Sequence, residues 1–429
     1  MSLPISPRRI AESVWRAGVA AVDSCRLVRQ NLAFEGGAVS VAGRPHAGFD
    51  RVLVLGAGKA GAGMARGVED AIGGRVPLSG WVNVPVGWVA GLEHITQFAG
   101  RPAGVNEPRP EGVAGTRRIL ELGREADART LVLVLVSGGG SALLVDPVVS
   151  LEAKQAVTRL MASRGAPIED LNAVRTRLSN VKGGGLARAL AGAGAVEVLV
   201  ISDVIGDPLA VIASGPTVVS SRADAADVLA RYEADHSRWP DGVEAALSAP
   251  PPGGPVADVR HTLIGTNATA VEAAAEGARL LGIETVVLGH GRAGVAAEVG
   301  REWAERLRKP ARDPLIFIDG GEPTVDLAGA AGKGGRNQEL VLAAVERLWD
   351  AGPGWALLSG GTDGEDGPTD AAGAVADAEV VAAAQAAGLD PTAALAGHAS
   401  YDFFAACGGL VKTGPTHTNV MDLRVGVRL

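Results

Sequence analysis

Short apolar runs that stop abruptly in Gly, Ser or Asp recur along this chain. Val52–Leu55, Leu131–Val136, Val198–Ile201, Thr285–Leu288 and Leu315–Ile318 all have this form. Their length and β-branched content read as buried strands. Longer stretches with helical spacing lie between them: Lys59–Ile72, Gly112–Ala126, Leu151–Arg164, Val271–Leu281 and Gln338–Trp349. Strand, loop and helix in alternation predict α/β layers with largely parallel sheets. Ser6-Pro7 before Arg8 marks a first helix, with Ser as the cap and Pro in the first turn.

At 429 residues the chain exceeds what one core usually organises, so two domains are expected. The break is placed in the polar, then proline-rich, segment from Arg231 to Val256, giving domains at 1–245 and 246–429. The formal charge of −8 argues against a nucleic-acid partner, because such binding rests on neutralising phosphates. Cys25 and Cys407 form neither a disulfide framework nor a zinc pattern. No apolar run approaches the ~20 residues of a membrane span. The N-terminus reads as a helix, not a signal peptide, so a cytoplasmic protein with no membrane partner is expected.

The loops carry the chemistry. Gly56, Gly58 and Gly61 spell the dinucleotide fingerprint, but Lys59 sits inside it. The acid that should follow on the next strand, to hold a ribose, is absent from Gly80–Pro85. No Walker A motif is present either. Ser137, Gly138, Gly139 and Ser141 follow a strand and form an anion-binding loop. Arg175, Arg177 and Lys182 surround a third glycine loop suited to phosphate or carboxylate. Only six of the 40 basic residues are lysines, and Lys59, Lys182 and Lys333 all adjoin glycines.

Asp203 and Asp207 follow a strand and are candidates for Mg²⁺ or for accepting a proton. The later loops repeat the theme. Glu322 follows Gly320-Gly321, and Lys333, Arg336 and Asn337 open a helix. Asp363, Asp366 and Asp370 share one loop, while Thr413 and Thr416 flank Gly414. Cations beside glycines answer negative oxygens, and aspartates answer Mg²⁺ and a hydroxyl proton. Phosphoryl transfer from ATP needs both sets; hydride transfer needs neither.

GAGKAGAGM, SGGGSALL, NAVRTRLSNVKGGGLA, SDVIGDPLAVIASGPT, GGEPTV, GKGGRNQE, TDGEDGPTDAAGA and TGPTHTNVMDL occur in that order. Together they resemble the glycerate 2-kinase family. The resemblance implies a large Rossmann-like parallel-sheet domain and a smaller C-terminal α/β domain, called MOFRL, with a mixed sheet. It implies ATP and Mg²⁺ as cofactors, and transfer to the 2-hydroxyl of D-glycerate with loops of both domains meeting in a cleft. It puts Lys59 and Arg336 on the transferring charge, with Glu322 as the acid of the G-G-E motif. The chain departs from the family pattern at Arg101–Asn106, at Thr176-Arg177 and at His398-Ala399. The expected acceptor is therefore glycerate or a related hydroxy acid. An NAD(P)H-dependent hydroxypyruvate reductase and a non-catalytic sugar-acid binder are the alternatives. A monomer or homodimer is expected.

Overall fold

The computed structural model describes residues 6–102, 107–219, 225–250, 252–308, 314–326 and 332–429. The departure expected at Ala103–Asn106 lies outside the described residues. The chain divides into two compact units. One comprises Ser24–Ser202 and Asp207–Ile264; the other comprises Met1–Asp23, Asp203–Gly206 and Gly265–Leu429. The expected break after residue 245 falls inside the segment Asp207–Ile264 of the first. The first helix, α1 (Pro7–Ala21), belongs with the C-terminal residues rather than with the segment that follows it. Among the described residues no helix is long and apolar enough to cross a membrane.

The first unit is built on a six-stranded sheet. Its strands are β1 (Arg51–Ala57), β2 (Leu78–Pro85), β3 (Ile95–Arg101), β4 (Thr130–Ser137), β5 (Ala195–Ile201) and β6 (Val259–Gly265). Their order is β3-β2-β1-β4-β5-β6. The pairings β1–β2, β1–β4, β2–β3 and β4–β5 are parallel. This is the doubly wound Rossmann order. Every residue of β4 is buried, as a parallel strand covered on both faces requires. Helix α2 (Gly61–Ile72) follows β1 directly. A small antiparallel sheet of Leu32–Glu35, Ala38–Val41 and Arg44–His46 stands apart from the main one.

The second unit carries a mixed sheet. Its strands are β7 (Glu284–Arg292), β8 (Leu315–Gly321), β9 (Trp355–Gly361), β10 (Gly373–Asp377), β11 (Leu410–Val411) and β12 (Asp422–Arg428), ordered β7-β8-β12-β9-β10-β11. Only β7–β8 is parallel; the other pairings are antiparallel. The last strand of the chain thus lies between β8 and β9. Side chains alternate across this sheet with the period of two that a strand imposes. Leu315, Phe317 and Leu357 pack with Trp303, Leu307 and helix α3 (Arg336–Leu348) on one face. Ile316, Ile318, Leu358, Leu423 and Val425 pack with Ile10, Val14 and Trp15 of α1 on the other.

That packing explains where α1 goes. Ser6 Oγ caps it, accepting from the Arg9 N–H, as the Ser-Pro start implied. Its apolar stripe has no partner of its own and is buried against the mixed sheet. Trp15 is 2 % exposed, and its Nε1 donates to Gly360 O. Burying such a large apolar side chain contributes roughly 1.5–3 kcal/mol.

Candidate functional site

In the Rossmann unit the chain winds outward from β1 in one direction and from β4 in the other. Ligands of doubly wound sheets bind beyond the carboxyl ends at such a switch point. The loops found there are the two expected from the sequence, and they are bonded to each other. The Lys59 N–H donates to Gly138 O at 2.8 Å, and the Ala60 N–H donates to Ser137 Oγ at 3.0 Å. Gly58 has φ +144, and a Cβ on it would lie 2.0 Å from Ser137 Oγ. Only glycine permits this approach. Ser137 is fully buried, and its Oγ ties one loop to the other. Gly139 adopts φ +74, with Arg101 Nη2 3.1 Å and Lys59 Cγ 3.2 Å from where its Cβ would stand. Two basic side chains therefore converge on this glycine.

Beside that loop, Lys182 is buried. Its Nζ donates to Ser141 O at 2.7 Å and to Ser214 Oγ at 3.2 Å. The Ser141 and Ser214 hydroxyls are 2.8 Å apart. Burial pushes the Lys182 ammonium well below its ordinary pKa, and the charges of Arg175 and Lys154 add to the push. Burial lowers Arg175 as well. Lys182 thus braces the serine–glycine loop from behind. The segment that carries its second partner, Ser214, is strained: Asp207, Ala213 and Ser214 all have positive φ. Such strain persists only where surrounding structure enforces it.

In the mixed-sheet unit, Arg336 opens α3 and lies at the ends of β8 and β9. Its Nε donates to Asp422 Oδ2 at 2.7 Å, its Nη2 to Asp422 Oδ1 at 2.9 Å, and its Nη1 to Glu322 Oε1 at 2.8 Å. Burial opposes its charge, but Asp422, Glu322 and Asp366 outweigh that and raise its pKa. Glu322 is raised by burial against the pull of Arg336, with Asp422 and Asp363 adding to the rise. A cavity of ≈ 480 Å³ opens here, lined by Glu322, Arg336, Glu339, His398, Ile205 and Pro323 among others. His398 Nδ1 and Glu339 Oε2 are 2.6 Å apart across it.

The other expected residues are placed as follows. Asn337 is fully buried; its Nδ2 donates to Asp366 and its Oδ1 accepts from Ser359 Oγ at 2.6 Å. Lys333 lies with Nζ 3.8 Å from the centre of the Tyr401 ring, a cation–π contact. Asp363 Oδ1 accepts from the Glu365 N–H within its own turn. Thr416 Oγ1 donates to Thr362 O, and Thr413 Oγ1 to Gly414 O. Asp203 accepts from Asn419 Nδ2 at 3.0 Å and belongs to the mixed-sheet unit, whereas Asp207 belongs to the Rossmann unit. Among the described residues no group of three or more His, Cys, Asp or Glu is arranged to hold a metal ion.

Sequence reasoning did not single out two of these residues. Asp422 lies in T-H-T-N-V-M-D-L, and only the insertion of β12 between β8 and β9 brings it to Arg336. Lys154 lies in an ordinary amphipathic helix, and nothing local marked it.

Comparison with known proteins places this geometry. The domain of unknown function DUF4147 matches residues 10–248, and the MOFRL family matches residues 315–422. Human glycerate kinase is 39% identical over 440 residues, covering 86% of this chain and 83% of that protein. A protein of Agrobacterium vitis named "Putative hydroxypyruvate reductase" is also 39% identical, over 98% of this chain and 94% of that one. The crystal structure of glycerate kinase from Thermotoga maritima superposes with a TM-score of 0.83 at 33% identity, covering 98% of this chain and 99% of that one. With both halves matched in order and the fold reproduced, this chain belongs to the glycerate kinase family that carries a MOFRL domain.

Proposed function

We propose that this protein is an ATP-dependent kinase that phosphorylates the 2-hydroxyl of D-glycerate, or of a closely related hydroxy acid. D-Glycerate would give 2-phosphoglycerate. The observation that carries the reading is the pair of bonded glycine loops at the switch point, with Lys59 and Arg101 beside Gly139. Backbone N–H groups and cations there suit phosphate oxygens. In this reading Lys59 and Arg336 stabilise charge on the transferring group. The fork of Asp422 and Glu322 keeps Arg336 in one orientation. Asp203 or Asp207 takes the hydroxyl proton. Mg²⁺ enters with the nucleotide, since this ion keeps several waters and takes one or two carboxylates plus phosphate oxygens.

The reductase reading meets an obstacle at the second strand. A dinucleotide site places an acid there for the ribose. Here β2 ends in Asn83, Val84 and Pro85, and Asn83 is buried, donating to Leu143 O.

The test is ADP release with MgATP and D-glycerate, and with related hydroxy acids, followed by NMR of the phosphorylated product. Turnover with phosphate on carbon 2 supports the proposal. Absence of ADP with every acid, or oxidation of NAD(P)H by hydroxypyruvate instead, refutes it.

A further inference from the structure

Each helix begins with N–H groups that have no partner inside the helix. The N-cap of helix α3 is Gly335, which has no side chain to cap them. The cap comes from a distant loop. Asp366 Oδ1 accepts from the Asn337 N–H at 3.0 Å and from Asn337 Nδ2 at 3.3 Å, and its Oδ2 accepts from the Gln338 N–H at 2.9 Å. These are the two residues directly after Arg336.

The loop and the helix start are shaped to each other. A Cβ on Gly335 would lie 2.2 Å from Asp366 Cγ, and one on Gly367 would lie 2.5 Å from Gly334 O. Thr369 Oγ1 donates to Asp366 O and accepts from Gln338 Nε2. Asn337 in turn accepts from Ser359 on β9. The first turn of α3 is thereby pinned to the sheet. Its donors at residues 337 and 338 are occupied.

We infer that Asp366 is a positioning residue: by capping α3 it holds the backbone of Arg336 where the guanidinium meets Asp422 and Glu322 as a fork. A bidentate arginine is orientation-sensitive, because two N–H bonds must align with one carboxylate plane. Fraying of one turn releases that alignment. The catalytic consequence rests on the kinase reading; the effect on Arg336 does not.

Asp366→Ala and Asp366→Asn in the full chain test this. Misplacing a catalytic group by about 1 Å costs about 100-fold, so Asp366→Ala is expected to lose kcat on that scale with KM for both substrates little changed. Asp366→Asn keeps one acceptor oxygen and is expected to recover part of the loss. Independently, phenylglyoxal labelling of Arg336, read by mass spectrometry, is expected to quicken several-fold in Asp366→Ala and less in Asp366→Asn. Unchanged labelling overturns the inference, as does unchanged kcat in a turning-over enzyme. If the wild type releases no ADP, the kinase reading fails while the labelling still decides the role of Asp366. If Asp366→Ala does not fold, Asp366→Asn carries both measurements.

Discussion

Asp422, the first residue of the C-terminal strand, holds Arg336 through both carboxylate oxygens, at 2.7 and 2.9 Å. In the sheet register Asp422 stands opposite Gly321 on one side and Gly361 on the other. The arginine is thus anchored at the middle of the mixed sheet. Asp422→Ala removes a fully buried partner and leaves a cation without its main counter-charge. Loss of stability of about 3 kcal/mol is expected, together with loss of most turnover. Denaturant unfolding and steady-state kinetics check both; wild-type kcat in the variant would remove the fork from the mechanism.

Lys59 is half-buried at the mouth of the first glycine loop. Lys59→Ala is expected to raise the barrier by about 3 kcal/mol, as loss of a charge-stabilising contact does. The effect on folding stability should stay near 0.5 kcal/mol. A kcat within a few-fold of wild type would show that Lys59 lies outside the chemistry.

Gly58 bears on the same loop through geometry alone. Gly58→Ala sets a methyl against Ser137 Oγ at a φ that alanine avoids. Backbone strain of this kind costs about 1–3 kcal/mol. Weaker nucleotide binding, measured calorimetrically, is the expected result. Unaltered affinity and stability would mean that the two loops need not be joined.

Arg424 and Asp319 face each other across β12 and β8, 2.7 Å apart and nearly inaccessible to water. Burial raises the Asp319 carboxyl and lowers the Arg424 guanidinium, each against the pull of its partner. Arg424→Met should destabilise by roughly 3–5 kcal/mol, because it leaves a buried charge poorly compensated. Adding Asp319→Leu should restore much of that. Failure of the double variant to recover would show that the pair is needed for more than mutual neutralisation.

Asp366 titrates within a useful range. Burial pushes its carboxyl up to about 7, and Asp422 adds to the shift while Arg336 opposes it. The folded value exceeds the unfolded one, so the associated stability is full below about 4 and declines until pH passes about 7. Relative to Asp366→Asn, the wild type should therefore lose stability as pH rises through this window. Thermal midpoints of both proteins from pH 4 to 8 measure it. A constant difference would show that Asp366 is ionised throughout.

Much of the architecture was legible locally. The cap at Ser6, the strand into Gly58, the buried run into Ser137 and the helix after Gly335 are short-range patterns, each set by its own residues. Asp422 and Asp366 were not legible in their roles. Nothing within several residues of either distinguishes a clamp on a distant arginine from a turn aspartate. Ser137 and Asn337 were readable as polar groups in glycine loops. Whether they faced a ligand or the interior depended on neighbours from elsewhere in the chain.

The amino-acid order by itself determined the alternation of strands and helices, the glycines required at tight approaches and the basic character of the loops, because these depend on backbone conformation and composition over a few residues. Tertiary structure decided that α1 joins the C-terminal unit, that β12 enters the middle of the mixed sheet, that Asp422 grips the Arg336 guanidinium and that Asp366 caps the helix Arg336 opens. Those outcomes follow from strand pairing, capping and the burial of apolar faces among segments from 28 to 345 residues apart, for which no local pattern is a sufficient cause.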